Sequence, residues 1–218
     1  EELQKVKEAY GDRRRTQIIS VDGDMPRQAL LTSADLLPEK TVWVGITRDG
    51  IVSRTRDDKT PRPSGKDAPN WLVKASTSDT LYLVSEKGEA AAIAVHTLPD
   101  TEKLSDGSEW HKVSPLKASD KLAAAFALPA RRSEFPEETY VLSVTRGGML
   151  KKSAIGELPG PSAQSFTLAR VNDGDVLGWL MLTDGKKEIL LATASGLGIR
   201  FNEDDVRPMG LVAAGVNG

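Results

Sequence analysis

The chain has 218 residues, 39% of them hydrophobic and 28% charged, with a formal net charge of −2. No stretch approaches the about 18 consecutive apolar residues of a spanning helix, and the charged first residues, EELQKVKEAY, are not a secretory signal. The absence of cysteine excludes disulfides, thiolate nucleophiles and cysteine-held metals, and two isolated histidines, His96 and His111, give no basis for a triad or a metal site.

The amino-terminal segment reads as a helix over 1–12, with Leu3, Val6 and Tyr10 on one face and Gly11 as its stop. Residues 13–40 read as a linker. From residue 41 the period changes to strict alternation, which predicts strands. VWVGITRDGIVSRT turns at Gly50, and the pattern recurs in YLVSEKGEAAAIAV at Gly88, VLSVTRGGMLKKS at Gly148 and LLATASGLGIRF at Gly196. Each copy carries a hydroxyl residue three places before its glycine: Thr47, Ser85, Thr145 and Thr193. A second turn precedes three of the hairpins, at Ser78-Asp79, Glu137-Glu138 and Asp184-Gly185, which brings the count to about four strands per copy.

Hairpin repeats of about 40 to 50 residues predict an all-β, propeller-like chain whose blades lean on their neighbours. Trp43, Trp71 and Trp179 fall in β runs and are expected in the core, whereas Trp110 follows a polar loop and is expected on the rim. The run Glu203, Asp204, Asp205 reads as a solvated charge cluster.

Charge is unevenly spread. Between Thr41 and Ser76 the cations Arg48, Arg54, Arg56, Lys59, Arg62, Lys66 and Lys74 outnumber Asp49, Asp57, Asp58 and Asp67. Arg146, Lys151 and Lys152 mark the third hairpin, and Arg200 and Arg207 follow the fourth. Cations at equivalent hairpin positions would line one rim and meet a nucleic-acid backbone without reading its sequence. For each residue taken singly, the alternative is that it keeps an edge strand soluble. Eleven scattered aromatics make no base-stacking platform, and no P-loop pattern occurs, so ATP is not bound through that motif.

GDRRRTQI, DLLPEKTVWVGITRDGIVSRT and above all LLATASGLGIRFNEDDVRPMGLVAAGV resemble the A subunits of bacterial DNA gyrase, from the last helix of the breakage–reunion domain into the DNA-wrapping carboxy-terminal domain. The resemblance implies a partial β-pinwheel of three to four four-stranded blades at 41–218, truncated, preceded by the end of a coiled-coil helix at 1–12. Where that family carries the box QRRGGKG, this chain reads PRPSGKD, so only Arg62, Gly65 and Lys66 match. On this reading DNA is held by Arg48, Arg54, Arg56, Lys59, Arg62, Gly65, Lys66, Arg146, Lys151, Lys152, Arg200 and Arg207.

The resemblance further implies three partners in a cytoplasmic, membrane-free assembly: double-stranded DNA, a gyrase B subunit, plus a second A subunit. No cofactor is expected in this chain. ATP, Mg²⁺ and the catalytic tyrosine of the topoisomerase belong elsewhere in the complete enzyme, and the segment is expected to be inactive alone. Two alternatives remain: a topoisomerase IV A subunit or gyrase paralogue with weak wrapping, suggested by the altered box, and a propeller-like interaction scaffold without a DNA role, suggested by the near-neutral charge.

Overall fold

The computed structural model describes Gln4 and residues 38–61, 65, 68–131, 135 and 138–218. Apart from Gln4, the expected helix over 1–12 and the linker as far as residue 37 lie outside the described residues, as do Arg62 and Lys66.

The four hydroxyl-x-x-glycine signals each form a hairpin. They join β1 (Thr41–Thr47) to β2 (Ile51–Arg54), β4 (Thr80–Ser85) to β5 (Glu89–Ala94), β8 (Tyr140–Thr145) to β9 (Met149–Ala154) and β12 (Glu188–Ala192) to β13 (Gly198–Asn202). In every turn the glycine amide donates to the carbonyl three residues back, from Gly50 to Thr47 at 3.0 Å and equivalently in the other three. All four glycines sit at φ between +79° and +89°, a region costly for any residue with a Cβ. The hydroxyl adds a second clamp: Thr47, Thr145 and Thr193 accept through Oγ1 from the amides of Ile51, Met149 and Leu197 at 3.0 to 3.1 Å. The buried Ser85 hydroxyl makes no such bond.

The remaining strands are β3 (Pro69–Ser76), β6 (Ser108–Glu109), β7 (Leu122–Leu128), β10 (Phe166–Thr167), β11 (Leu177–Thr183) and β14 (Val216–Asn217). They complete three four-stranded antiparallel sheets, ordered β3-β1-β2-β6, β7-β4-β5-β10 and β11-β8-β9-β14, and β12-β13 forms a two-stranded fourth. Three full sheets and the start of another match the count that the four glycines implied. The four strands of a sheet do not come from one repeat, however. The turn at Ser76–Asp79, closed by the Asp79 amide on the Ser76 carbonyl at 3.0 Å, leads from β3 of the first sheet into β4 of the second. Each outer strand arrives only after the following hairpin: β6 reaches back to β2 through Ile51↔Glu109 and Val52↔Ser108. The blades therefore exchange strands.

Alternation then fills the spaces between sheets. Val42, Val44, Ile46 and Val52 of the first sheet meet Leu81, Leu83, Ala91 and Ile93 of the second. The opposite face of that second sheet, with Tyr82, Val84, Ala90, Ala124 and Phe126, meets Val141, Leu168 and Leu177. Leu142, Val144 and Leu150 meet Ile189 and Val206 across the third junction. Full burial of a Leu such as Leu81 or Leu83 stabilises by about 1.5–3 kcal/mol each. Tyr82 stacks on Phe126 with ring centres 5.0 Å apart and donates its hydroxyl to the Pro159 carbonyl at 2.8 Å, which satisfies the one polar atom it buries.

Two tryptophans reverse their expected places. Trp110 is 8% exposed and belongs to the core, because its amide bonds the Gly50 carbonyl and draws the ring beneath the first hairpin. Trp179 is 54% exposed on β11, the edge strand of the third sheet. Trp43 and Trp71 are half-buried, with Trp71 packed against the first core.

Candidate nucleic-acid interface

Aligning the hairpins at their glycines brings equivalent residues into one register. The residue after the hydroxyl is Arg48, Glu86, Arg146 and Ala194 in turn. Arg48 and Arg146 are exposed at the tips of the first and third hairpins, and no ion pair engages either among the described residues. The Arg146 guanidinium lies 5.6 Å from the centre of the Trp179 ring, an attraction that favours one orientation of the arginine. At the same tip the Gly147 amide donates to Asp175 Oδ1 at 2.8 Å, and the Val176 amide to the same oxygen at 2.7 Å. Burial acts to raise the Asp175 carboxyl, but hydrogen bonds from Thr145, Gly147 and Val176 outweigh it and hold it below the usual carboxylate range.

Lys87, at the tip of the second hairpin, is a cation that the sequence reading did not single out. It is exposed, with Nζ 2.8 Å from Asp120 Oδ1. Alignment at the glycine was the signal that could have found it, since Lys87 occupies the tip place next to that of Arg48 and Arg146.

Four residues beyond the glycine stand Arg54, Ala92, Lys152 and Arg200. These cations are not free. Arg54 Nη1 lies 3.2 Å from Asp100, Arg56 pairs with Asp100 and Glu102 at 3.0 Å each, and Arg200 Nη2 lies 2.6 Å from Glu188. Lys59 and Arg207 are exposed without an ion pair among the described residues. Gly65 has φ +58° and open space where a Cβ would stand, so a ligand backbone could approach it closely.

Lys151 and Lys152 depart furthest from the expectation of a rim. They are 1% and 3% exposed. The Lys151 ammonium donates to the carbonyls of Leu168, at 2.7 Å, and of Leu211. Lys152 donates to the Glu203 carbonyl at 2.8 Å, with its Nζ 5.1 Å from the centre of the Tyr140 ring. Both are interior ties between chain segments rather than surface cations. Burial pushes Lys151 down to about 8, partly offset by the charge of Glu157. Glu203, expected in a solvated run, is fully buried, accepting through Oε2 from Thr183 Oγ1 at 2.6 Å and from the Lys187 amide at 3.3 Å. Asp204 and Asp205 are exposed, as expected.

A family model described as the DNA gyrase C-terminal domain, beta-propeller, matches residues 139–182 and 187–218. The A subunit of DNA gyrase from Salmonella typhimurium is 31% identical over an alignment spanning the whole chain. The chain is similar to gyrase A subunits along its whole length. It spans about a quarter, 25%, of the length of that relative. Among solved structures, the C-terminal domain of a DNA topoisomerase IV superposes with a TM-score of 0.70 at 27% identity, over 84% of this chain and 58% of that one. A DNA gyrase A C-terminal domain gives a TM-score of 0.59 at 16% identity, over 82% and 60%, which speaks for the fold alone. In gyrase A terms, the three complete sheets are propeller blades, and β12–β13 is the hairpin of a fourth. No helix among the described residues is long and apolar enough to cross a membrane.

Proposed function

We propose that this chain is the duplex-holding part of a type IIA topoisomerase A subunit. On this reading residues 1–12 end the coiled-coil helix of the cleavage domain, 13–40 link, and 41–218 form the pinwheel along which DNA bends. The observation that carries it is the recurrence of exposed arginines, Arg48 and Arg146, without an ion pair among the described residues, at one turn position of two blades in a fold like that of the gyrase A C-terminal domain. Backbone contacts from such tips position a duplex and carry no sequence preference. Lys59, Gly65 and Arg207, with Arg62 and Lys66, extend the proposed contact set, and Lys87 joins it. Strand passage would belong to the complete cytoplasmic enzyme, which a second A subunit, a gyrase B subunit, ATP and Mg²⁺ complete.

Titration of a fluorescent linear duplex at several salt concentrations tests the proposal. The chain should bind more weakly as salt rises, and R48A/R146A should weaken binding and reduce the salt slope by about 0.9 for each phosphate no longer neutralised. Failure of the unaltered chain to bind, or binding indifferent to salt, would overturn it.

The acid pairing of Arg54, Arg56 and Arg200 favours a second reading within the same class, the topoisomerase IV type, in which the blades bind a duplex without wrapping it tightly. Relaxing a DNA circle around the chain and measuring the linking number separates the two. Wrapping shifts the linking number, and steering alone leaves it unchanged.

A further inference from the structure

The geometry points to Asp100 and Glu102 as resident counter-anions that occupy Arg54 and Arg56 in place of DNA phosphate, and so set how tightly the first blade grips a duplex. This inference rests on the DNA-binding reading above and gives it a built-in attenuator.

Arg54 closes β2 with its side chain only 16% exposed. Its amide donates to the Pro99 carbonyl at 2.9 Å, and its carbonyl accepts from the Thr101 amide at 3.0 Å. Two main-chain bonds thus fix Asp100, from the segment after β5 of the second blade, opposite the guanidinium. Asp100 then bridges, with Oδ2 3.2 Å from Arg54 Nη1 and Oδ1 3.0 Å from Arg56 Nε. Glu102 Oε1 takes Arg56 Nη1 at 3.0 Å. A guanidinium presents the same forked donors to carboxylate and to phosphate, so an arriving phosphate finds these donors already filled.

The two acids differ in how readily they yield. Glu102 is 79% exposed and pairs with the exposed Arg56, a solvated pair that exchanges easily. Asp100 is held between the bonded main-chain groups of Pro99 and Thr101, remains when phosphate approaches, and repels it. Carboxylate closure recurs without the main-chain tether, since Arg200, register-equivalent to Arg54, is engaged by Glu188 of its own paired strand through contacts at 2.6 and 3.1 Å from Nη2 and Nε. Arg48 and Arg146 carry no such partner among the described residues, whereas Lys87 at the second tip is paired with Asp120, so the attenuation spares the first and third tips.

The test compares duplex binding by the full chain, by D100N/E102Q, and by D106N/D173N, which changes net charge equally at exposed acids outside the cluster. D100N/E102Q should bind about tenfold tighter, because like-charge repulsion is removed from the contact. Its salt slope should steepen by about 0.9 for each phosphate newly engaged. The control pair should bind the duplex less than about twofold tighter at physiological salt, where charges beyond a Debye length are screened. Should D100N/E102Q melt early, E102Q alone, which leaves the Asp100 tether intact, should show the same changes at smaller amplitude. Equal affinities for D100N/E102Q and the control, or tighter binding at an unchanged slope, overturn the attenuator while leaving DNA binding standing. Failure of the unaltered chain to bind removes the DNA-binding reading and the attenuator with it.

Discussion

Lys152 of the third sheet donates through Nζ to the main-chain oxygen of Glu203, just beyond the fourth hairpin, and neither side chain reaches solvent. The Glu203 carboxylate in turn gathers the Thr183 hydroxyl and the Lys187 amide. One buried polar knot thus fastens the last hairpin to its neighbour, beside the apolar contacts of Leu142, Val144 and Leu150 with Ile189 and Val206.

Glu203→Ala should therefore loosen β12–β13 selectively. It leaves the Thr183 hydroxyl and the Lys187 amide without their acceptor, at about 1–3 kcal/mol for each group that stays buried. Urea denaturation measures the loss. Hydrogen exchange should quicken in β12 and β13 while β4 and β5 keep their protection.

Stability should rise with pH across the range where Lys151 loses its proton only when folded. Its folded value of about 8 lies below the ordinary 10.5, so between the two the unfolded chain holds more protons, and raising pH favours the native state. The penalty for burying the charge is present below about 8 and relieved above it. Urea midpoints measured through this window should climb for the unaltered chain. Lys151→Met should flatten that climb, and an unchanged profile would contradict the assignment.

Gly88→Ala and Gly148→Ala make the same chemical change at register-equivalent turns with φ of +79° and +89°. At Gly148 nothing stands within 4 Å of the added methyl, so only the left-handed backbone matters, at about 1–2 kcal/mol. At Gly88 the methyl would lie 1.9 Å from the Ala169 carbonyl oxygen. The amides of Leu168 and Ala169 both bond the Gly88 carbonyl, so the clash has no easy escape. Thermal melts should show a modest drop for Gly148→Ala and a far larger one, or no cooperative transition, for Gly88→Ala.

Leu190 occupies the register of Tyr82 and Leu142, both core residues, yet is 69% exposed, and Met181 nearby in sequence is 48% exposed. Uncovered core positions of this kind drive association. Sedimentation velocity should show the chain self-associating as concentration rises. M181K/L190K should shift it toward monomer with little change in melting temperature.

The hairpins were legible because hydroxyl, glycine and alternation are local signals, and all four formed where expected. Strand allocation was not legible, since nothing in Pro69–Ser76 says whether that strand closes the sheet behind it or opens the one ahead. The buried ions were missed because Lys151, Lys152 and Glu203 were read by residue type alone. Alignment at the glycines sets Lys151 and Lys152 on Ala91 and Ala92, and Glu203 on Val95 and Ile155, all of them buried. Register carried the information that residue chemistry concealed. The same failing placed Arg54 and Arg200 on an open rim, because their carboxylate partners Asp100 and Glu188 are brought near only by the fold.

Strand exchange carries a consequence for how the chain is made. The first sheet lacks its outer strand until Ser108–Glu109 has emerged from the ribosome, by which time the second hairpin, ending at Ala94, is already out. Each blade thus waits on its successor during synthesis, and a pause in translation would leave the newest blade unfinished while locking the one before it.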